Sequence, residues 1–204
     1  MLTLAGSDRC DGPPMAEHDS PPDPQARARR LAAYREIRLW GDPVLRASAR
    51  PVERFDDGLA DLITRLRWVI DDATGAGLAA PQLGVLVRVV VYRVPDEERD
   101  GPARVLVNPA IVVRSAERTT FVEGCLSMPG IVAPVERCAN VVVHACDEHG
   151  RAREIAAAGD HASVLQHELD HLDGVLLPDR LTPEHRRSYV RAVHDAARAG
   201  WPAI

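Results

Sequence analysis

The chain has 204 residues, a formal net charge of −5 and 25 cationic side chains, all of them arginine. This length suits one domain with a full hydrophobic core, the mild acidity speaks against a nucleic-acid partner, and the lack of lysine rules out lysine-based catalysis. No apolar run is long enough to span a bilayer and MLTLAGSDRCDGPP turns polar before a secretory core forms, so a cytoplasmic protein with reduced thiols is expected.

Residues 1–33 include DGPPMAEHDSPPDPQARARR, rich in proline and charge and without apolar periodicity. They predict a disordered N-terminal extension ahead of a domain over 34–204. WGDPVLRASARPV (40–52) reads as turn and loop. Leu59, Leu62, Ile63, Leu66, Val69 and Ile70 recur at helical spacing behind Asp56 and Asp57, predicting a capped helix over about 56–73. VLVRVVVYRV (85–94) predicts a strand, and shorter strands are expected at 104–107, 110–114, 119–122, 140–146 and 151–156. A helix over about 160–172, closed by Gly174, precedes a last helix from Thr182 to about Ala199. There Thr182 caps, Pro183 takes the first position, and Tyr189, Val190, Val193 and Ala197 form the buried stripe. One long helix, many short strands and two final helices make an α+β domain.

Three short stretches carry chemistry. In LQHELDHLDG (165–174), His167 and His171 lie four residues apart, one helical turn, and so can address one metal ion. Glu168 then stands beside the first ligand, placed to move a proton rather than to coordinate. Two imidazoles leave a metal site incomplete. Cys125 stands in EGCLSMPG (123–130), a glycine- and proline-flanked turn that can offer its sulfur to a facing helix. Cys10 lies in the tail, and Cys138 and Cys146 sit in strand-like apolar company where buried, inert thiols are usual. In GAGLAAPQ (75–82), small residues allow close approach to the backbone and Gln82 adds one amide; a tight helix–strand connection would read the same way.

GAGLAAPQ, EGCLS and QHELDH stand in the order of three signatures of the peptide deformylases, which this chain resembles over about residues 34–182. GDPVLR (41–46), VNP (107–109) and GVLLPDRL (174–181) extend the similarity. The resemblance implies short, mostly antiparallel strands packed around a central helix carrying HExxH, with a C-terminal helix. It implies removal of the N-formyl group from the formyl-methionine of nascent polypeptides, with release of formate. It makes Cys125 the third metal ligand beside His167 and His171, for Fe2+ that Zn2+, Ni2+ or Co2+ can replace. It makes Glu168 the general base, the Gln82 amide and the Leu126 backbone N–H the donors to the formyl oxygen, and Gly77 a backbone contact along the peptide. Val164 would line the methionine pocket. Arg137 would lie near the substrate, with a surface salt bridge as the plainer reading, and Glu123 would organise the cysteine loop.

Two positions depart from the family pattern, since Asp160 and His161 replace large apolar residues before the metal helix. Asp160 reads as the helix N-cap; facing the pocket instead, it would weaken methionine preference. His161, six residues before His167, reads as surface, and His144, His149, His185 and His194 as solvated. Two other functions compete: a zincin-type peptidase recruiting Glu184, and a non-enzymatic binding protein that keeps the fold. Arg186, Arg187 and Arg191 in the last helix form either a ribosome-facing patch or an ordinary solvated face. Direct nucleic-acid or membrane binding is not expected.

Overall fold

Capping chemistry sets the helix limits. In the computed structural model, which describes residues 23–93 and 102–201, α1 (Pro24–Glu36) begins where Asp23 accepts from the Gln25 backbone N–H at 3.0 Å. α2 (Asp57–Ala73) begins behind Asp56, which accepts from the Leu59 N–H, and ends at Thr74 in the left-handed region. The strands follow as β1 (Gly77–Ala79), β2 (Val89–Tyr92), β3 (Arg104–Arg114), β4 (Arg118–Cys125), β5 (Met128–Cys138), β6 (Asn140–Cys146) and β7 (Ala152–Ala158). α3 (Gly159–Leu172) carries the HExxH stretch, and α4 (Pro183–Arg198) starts behind the Thr182 cap.

Five strands pair in the order β1–β2–β3–β6–β7, each neighbour antiparallel, while β4 and β5 form a separate hairpin. β2 shows how the layers stack. Its four residues VVVY are all buried, with Val89 and Val91 turned to the cluster of α2 and Val90 and Tyr92 to that of α3. A strand buried on both faces reads as an unbroken apolar run, so α2 and α3 sandwich the sheet. On α2, Ile63, Leu66, Val69 and Ile70 are buried, each contributing roughly 1.5–3 kcal/mol of transfer free energy. α3 touches strands of both sheets. α4 closes the hairpin with Tyr189 and Val193 packed on Met128 and Val135.

Several sequence-based boundaries need correction. The extension expected to be disordered over 1–33 is helical from Pro24, because α1 buries Ala33 and Ile37 against α2; residues 1–22 lie outside the described residues. Of the strand expected over 85–94, residue 94 lies outside the described residues, and the described residues 85–93 form strand only at Val89–Tyr92. Its first half instead bonds to the preceding loop, with Arg50 N–H donating to Leu86 and Arg88 N–H to Arg50. The two strands expected at 104–107 and 110–114 are one strand, β3, with a register shift between Val107 and Ala110. At the shift, Asn108 turns to φ 53° and its amide bonds both the N–H and the C=O of Val52. β5 was not expected at all, since proline and glycine in MPGIVAPVERC mimic a turn. In α4, Ala197 is exposed rather than part of the buried stripe.

Candidate metal centre and its cleft

Two elements converge to build the site. On α3, one turn of helix stacks His167 and His171 edge-to-face, ring centres 5.0 Å apart. Facing them, β4 ends where its register with β5 slips between Gly124 and Cys125. The slip brings Cys125 Sγ to 3.3 Å from His171 Nε2. One donor atom from each of Cys125, His167 and His171 lies within 4.8 Å of the others, and all three residues are buried.

Charged groups stand behind one of these donors and fix its orientation. Glu123 Oε2 lies 2.9 Å from His167 Nδ1. Arg137 grips the same carboxylate with two bonds of 2.8 and 2.9 Å, and Ser163 Oγ donates to it at 2.8 Å. Burial pushes the Glu123 carboxyl up, but its bonds to Arg137 and His167 outweigh that and hold it at about 2. As a fixed anion it keeps the proton on His167 Nδ1 and leaves Nε2 as the lone pair for a metal. Burial opposes a charge on His167 too, but Cys125 and Glu123 outweigh it and raise its affinity for a proton; the same field favours a metal cation. Burial holds His171 well below the usual histidine range, hence neutral, as a ligand must be. A cysteine sulfur and two imidazoles, with a carboxylate behind one of them, are a fitting donor set for a divalent transition metal.

Beside the donors, Glu168 is buried and pushed up to about 7, chiefly by that burial. Its Oε2 has no hydrogen-bond partner among the described residues, so it remains available to a water or a substrate. Gly77 makes room for it, because a Cβ there would stand 2.2 Å from Glu168 Oε1. Gln82 sits in the short 3-10 turn Ala80–Leu83. Its Oε1 accepts from the Ala79 N–H at 2.9 Å, which turns Nε2 toward Ser127 Oγ at 3.1 Å and Cys125 Sγ at 3.7 Å. These groups open into a cleft of about 620 Å³, which Leu126, Val164 and the segment 74–77 also line. A second cavity of about 590 Å³, over Val52, Leu59 and Leu62, contains no cysteine or histidine.

Of the expected site residues, Gly77, Gln82, Cys125, Leu126, Val164, His167 and Glu168 line this cleft and His171 closes its floor. Arg137 does not. It is only 4% exposed, with its donors on Glu123 and Asp170. It therefore neither meets substrate nor forms a surface salt bridge; it is an internal strut, which Arg180 extends through Asp170 to the surface. Asp160 is not the N-cap, which falls at Ala158, but an exposed residue of the first turn at the cleft rim. His161 is half-buried and stacked on Tyr92 with ring centres 5.4 Å apart, not a free surface residue. Glu184 is exposed in the first turn of α4 and does not line the cleft, so the zincin arrangement is not built. Ser127, Ser163 and Asp170, which brace the site, escaped the sequence reading. For Arg137 a signal existed: Ala133, Val135 and Arg137 alternate, which assigns the arginine to the buried face of a strand.

An α+β fold whose central helix and adjoining hairpin enclose a cysteine sulfur, two imidazoles and a spare buried carboxylate defines a metal-dependent hydrolase. Residues 34–187 match the polypeptide deformylase family. A peptide deformylase of Acidothermus cellulolyticus is 46% identical over 168 residues, covering 82% of this chain and 90% of that one. The crystal structure of a peptide deformylase from Legionella pneumophila superposes with a TM-score of 0.74 at 40% identity, covering 80% of this chain and 95% of that one. Peptide deformylase 1B of Arabidopsis thaliana, solved with an inhibitor, gives 0.74 at 36% identity, with 82% and 96% covered. The chain belongs to the polypeptide deformylase family.

Proposed function

We propose that this chain hydrolyses the N-formyl group from the formyl-methionine at the start of nascent polypeptides in the cytoplasm, using Fe2+ held by Cys125, His167 and His171. The observation that carries this reading is the convergence of those three donors with the unpartnered Glu168 carboxylate in one cleft. A bound divalent metal supplies Lewis acidity, activating a water and polarising the formyl oxygen. The donor set alone suits Zn2+, Ni2+ or Co2+ as well, and the resemblance to deformylases favours iron.

Each protein group then has a task. Glu168 takes the proton from the attacking water and returns it to the departing amine nitrogen; a base near neutrality suits both directions. The amide of Gln82, oriented by Ala79, and the backbone N–H of Leu126 stabilise the charge that grows on the formyl oxygen. Val164 contributes an apolar wall for the methionine side chain, and the bare backbone at Gly77 lets the peptide lie close. Arg137 and Glu123 keep His167 aligned without touching substrate. The exposed Arg186, Arg187 and Arg191 of α4 support docking of the enzyme at the ribosomal surface, where its substrates emerge.

The test is formate release by anaerobically purified, iron-loaded protein offered formyl-Met-Ala-Ser and, in parallel, acetyl-Met-Ala-Ser. Formate from the first, with the acetyl peptide at least about a hundredfold slower, is expected. Iron-loaded, folded protein that releases no formate would overturn the reading. Zinc-loaded protein outpacing iron-loaded protein would overturn the choice of metal.

A further inference from the structure

The family match begins at residue 34, but α1 begins at Pro24, so residues 24–33 of this helix precede the match. Even so, α1 reaches the cleft: Arg30 and Tyr34, one turn apart on one face, line it together with Thr74 and Gly75. Contacts along its length hold the helix there. Arg29 pairs with Asp72 near the end of α2 at 3.7 Å, Glu36 pairs with Arg65, and Ala33 is wholly buried in the core between the two helices. The guanidinium carbon of Arg30 stands 6.0 Å from the centre of the Tyr34 ring, whose face favours a cation. Arg29 and Arg65 are spent on carboxylates; among the described residues Arg30 has none within ion-pair distance. Among the described residues it is an unneutralised cation, propped on an aromatic ring at the edge of the cleft.

We propose that Arg30 binds a side-chain carboxylate of the substrate downstream of the formyl-methionine, so that the enzyme prefers an acidic residue early in the nascent chain. The inference rests on the deformylase reading above. Gly77 marks the reaction centre, because it touches Glu168, and the segment 74–77 lines the same cleft as Arg30 and Tyr34. An extended peptide advances about 3.3 Å per residue. Residues downstream of the formyl-methionine therefore extend along the cleft that α1 lines. Asp160, the other exposed charge at the rim, comes from α3 near Val164 and disfavours acidic side chains on its own side. Glu123 cannot repel at the mouth, since its charge is matched by Arg137. The preference is therefore tied to a position rather than spread over the peptide.

The experiment measures kcat/KM of the iron-loaded enzyme on formyl-Met-Ala-Ala-Ala-amide with Glu or Lys placed at the second, third or fourth residue. The amidated end removes the terminal carboxylate as a competitor. At low salt, Glu is expected to be favoured over Ala by about two- to fivefold at one of the three positions, mostly through KM, as for an exposed ion pair. Arg30→Ala should bring that ratio to one, Arg30→Glu should invert it in favour of Lys, and about 0.5 M salt should erase it in the wild type. Equal rates for Glu and Ala in the wild type, or an unchanged preference in Arg30→Ala, would overturn the proposal while the deformylase reading stands. A wild type inert on every peptide would overturn both.

Discussion

At Gly77 the side chain is a single hydrogen because Glu168 needs the space: a Cβ would lie 2.2 Å from its Oε1. Gly77→Ala should push the carboxylate off line and cut kcat by about a hundredfold while leaving the melting temperature nearly unchanged; activity close to wild type would show that the carboxylate has slack. Glu123 poses the opposite case, a buried anion whose position depends on its partners. Its folded pKa of about 2 lies below the ordinary 4.5. The stabilisation it brings is therefore fully present above about pH 4.5 and is lost as pH falls toward 2. Removing the partner leaves an uncompensated buried charge, so Arg137→Ala should destabilise by roughly 3–5 kcal/mol at pH 7. The carboxyl of that variant should protonate at higher pH, which neutralises the uncompensated charge. Its stability deficit should therefore shrink as pH falls, and the loss that wild type suffers between about pH 4.5 and 2 should flatten. Melting curves from pH 3 to 8 for both proteins check this, and superposable acid limbs would contradict it.

At the scale of elements, sequence pattern was most legible where one period ran without interruption. α2, β6 and α4 declare themselves by spacing and caps: Asp56 and Thr182 both cap as expected. β3 reads as two pieces and β5 is hidden because Pro109, Pro129 and Pro134 look like strand breakers, whereas the structure places them in strands, with bulges at Val107–Ala110 and Gly124–Cys125. α1 is hidden for another reason. Its mean composition is polar, and only Ala33, Tyr34 and Ile37 meet the core, although Asp23 followed by Pro24 already spelled a helix start. The donors of the site were readable from three motifs. The strut behind them was not, because Arg137 reaches Glu123 and Asp170 only through a hairpin that the proline pattern conceals. The turn after α3 is another element-scale constraint. Gly174 has φ 70°, and a Cβ there would lie 2.5 Å from the Arg46 carbonyl oxygen. Gly174→Ala should cost about 1–3 kcal/mol in denaturant unfolding; an unchanged midpoint would mean that the Arg46 loop yields freely.

Across the whole molecule, α3 packs on strands of both sheets, so a metal held by Cys125, His167 and His171 would tie the hairpin of β4 and β5 to the helix that packs on the main sheet. Chelation should therefore lower thermal stability as well as abolish turnover, by about 2.7 kcal/mol where free metal had been at a hundred times its dissociation constant. Exposure to air should mimic chelation in the iron form, through oxidation of the Cys125 sulfur. The most direct test of the account separates holding the metal from using it. Metal content and formate release would be measured side by side for the iron-loaded wild type, Glu168→Gln and Cys125→Ala. The account predicts that Glu168→Gln keeps its iron but loses at least about a hundredfold in formate release, and that Cys125→Ala loses the iron itself. Near-normal turnover by Glu168→Gln, or iron retained in full by Cys125→Ala, would contradict it.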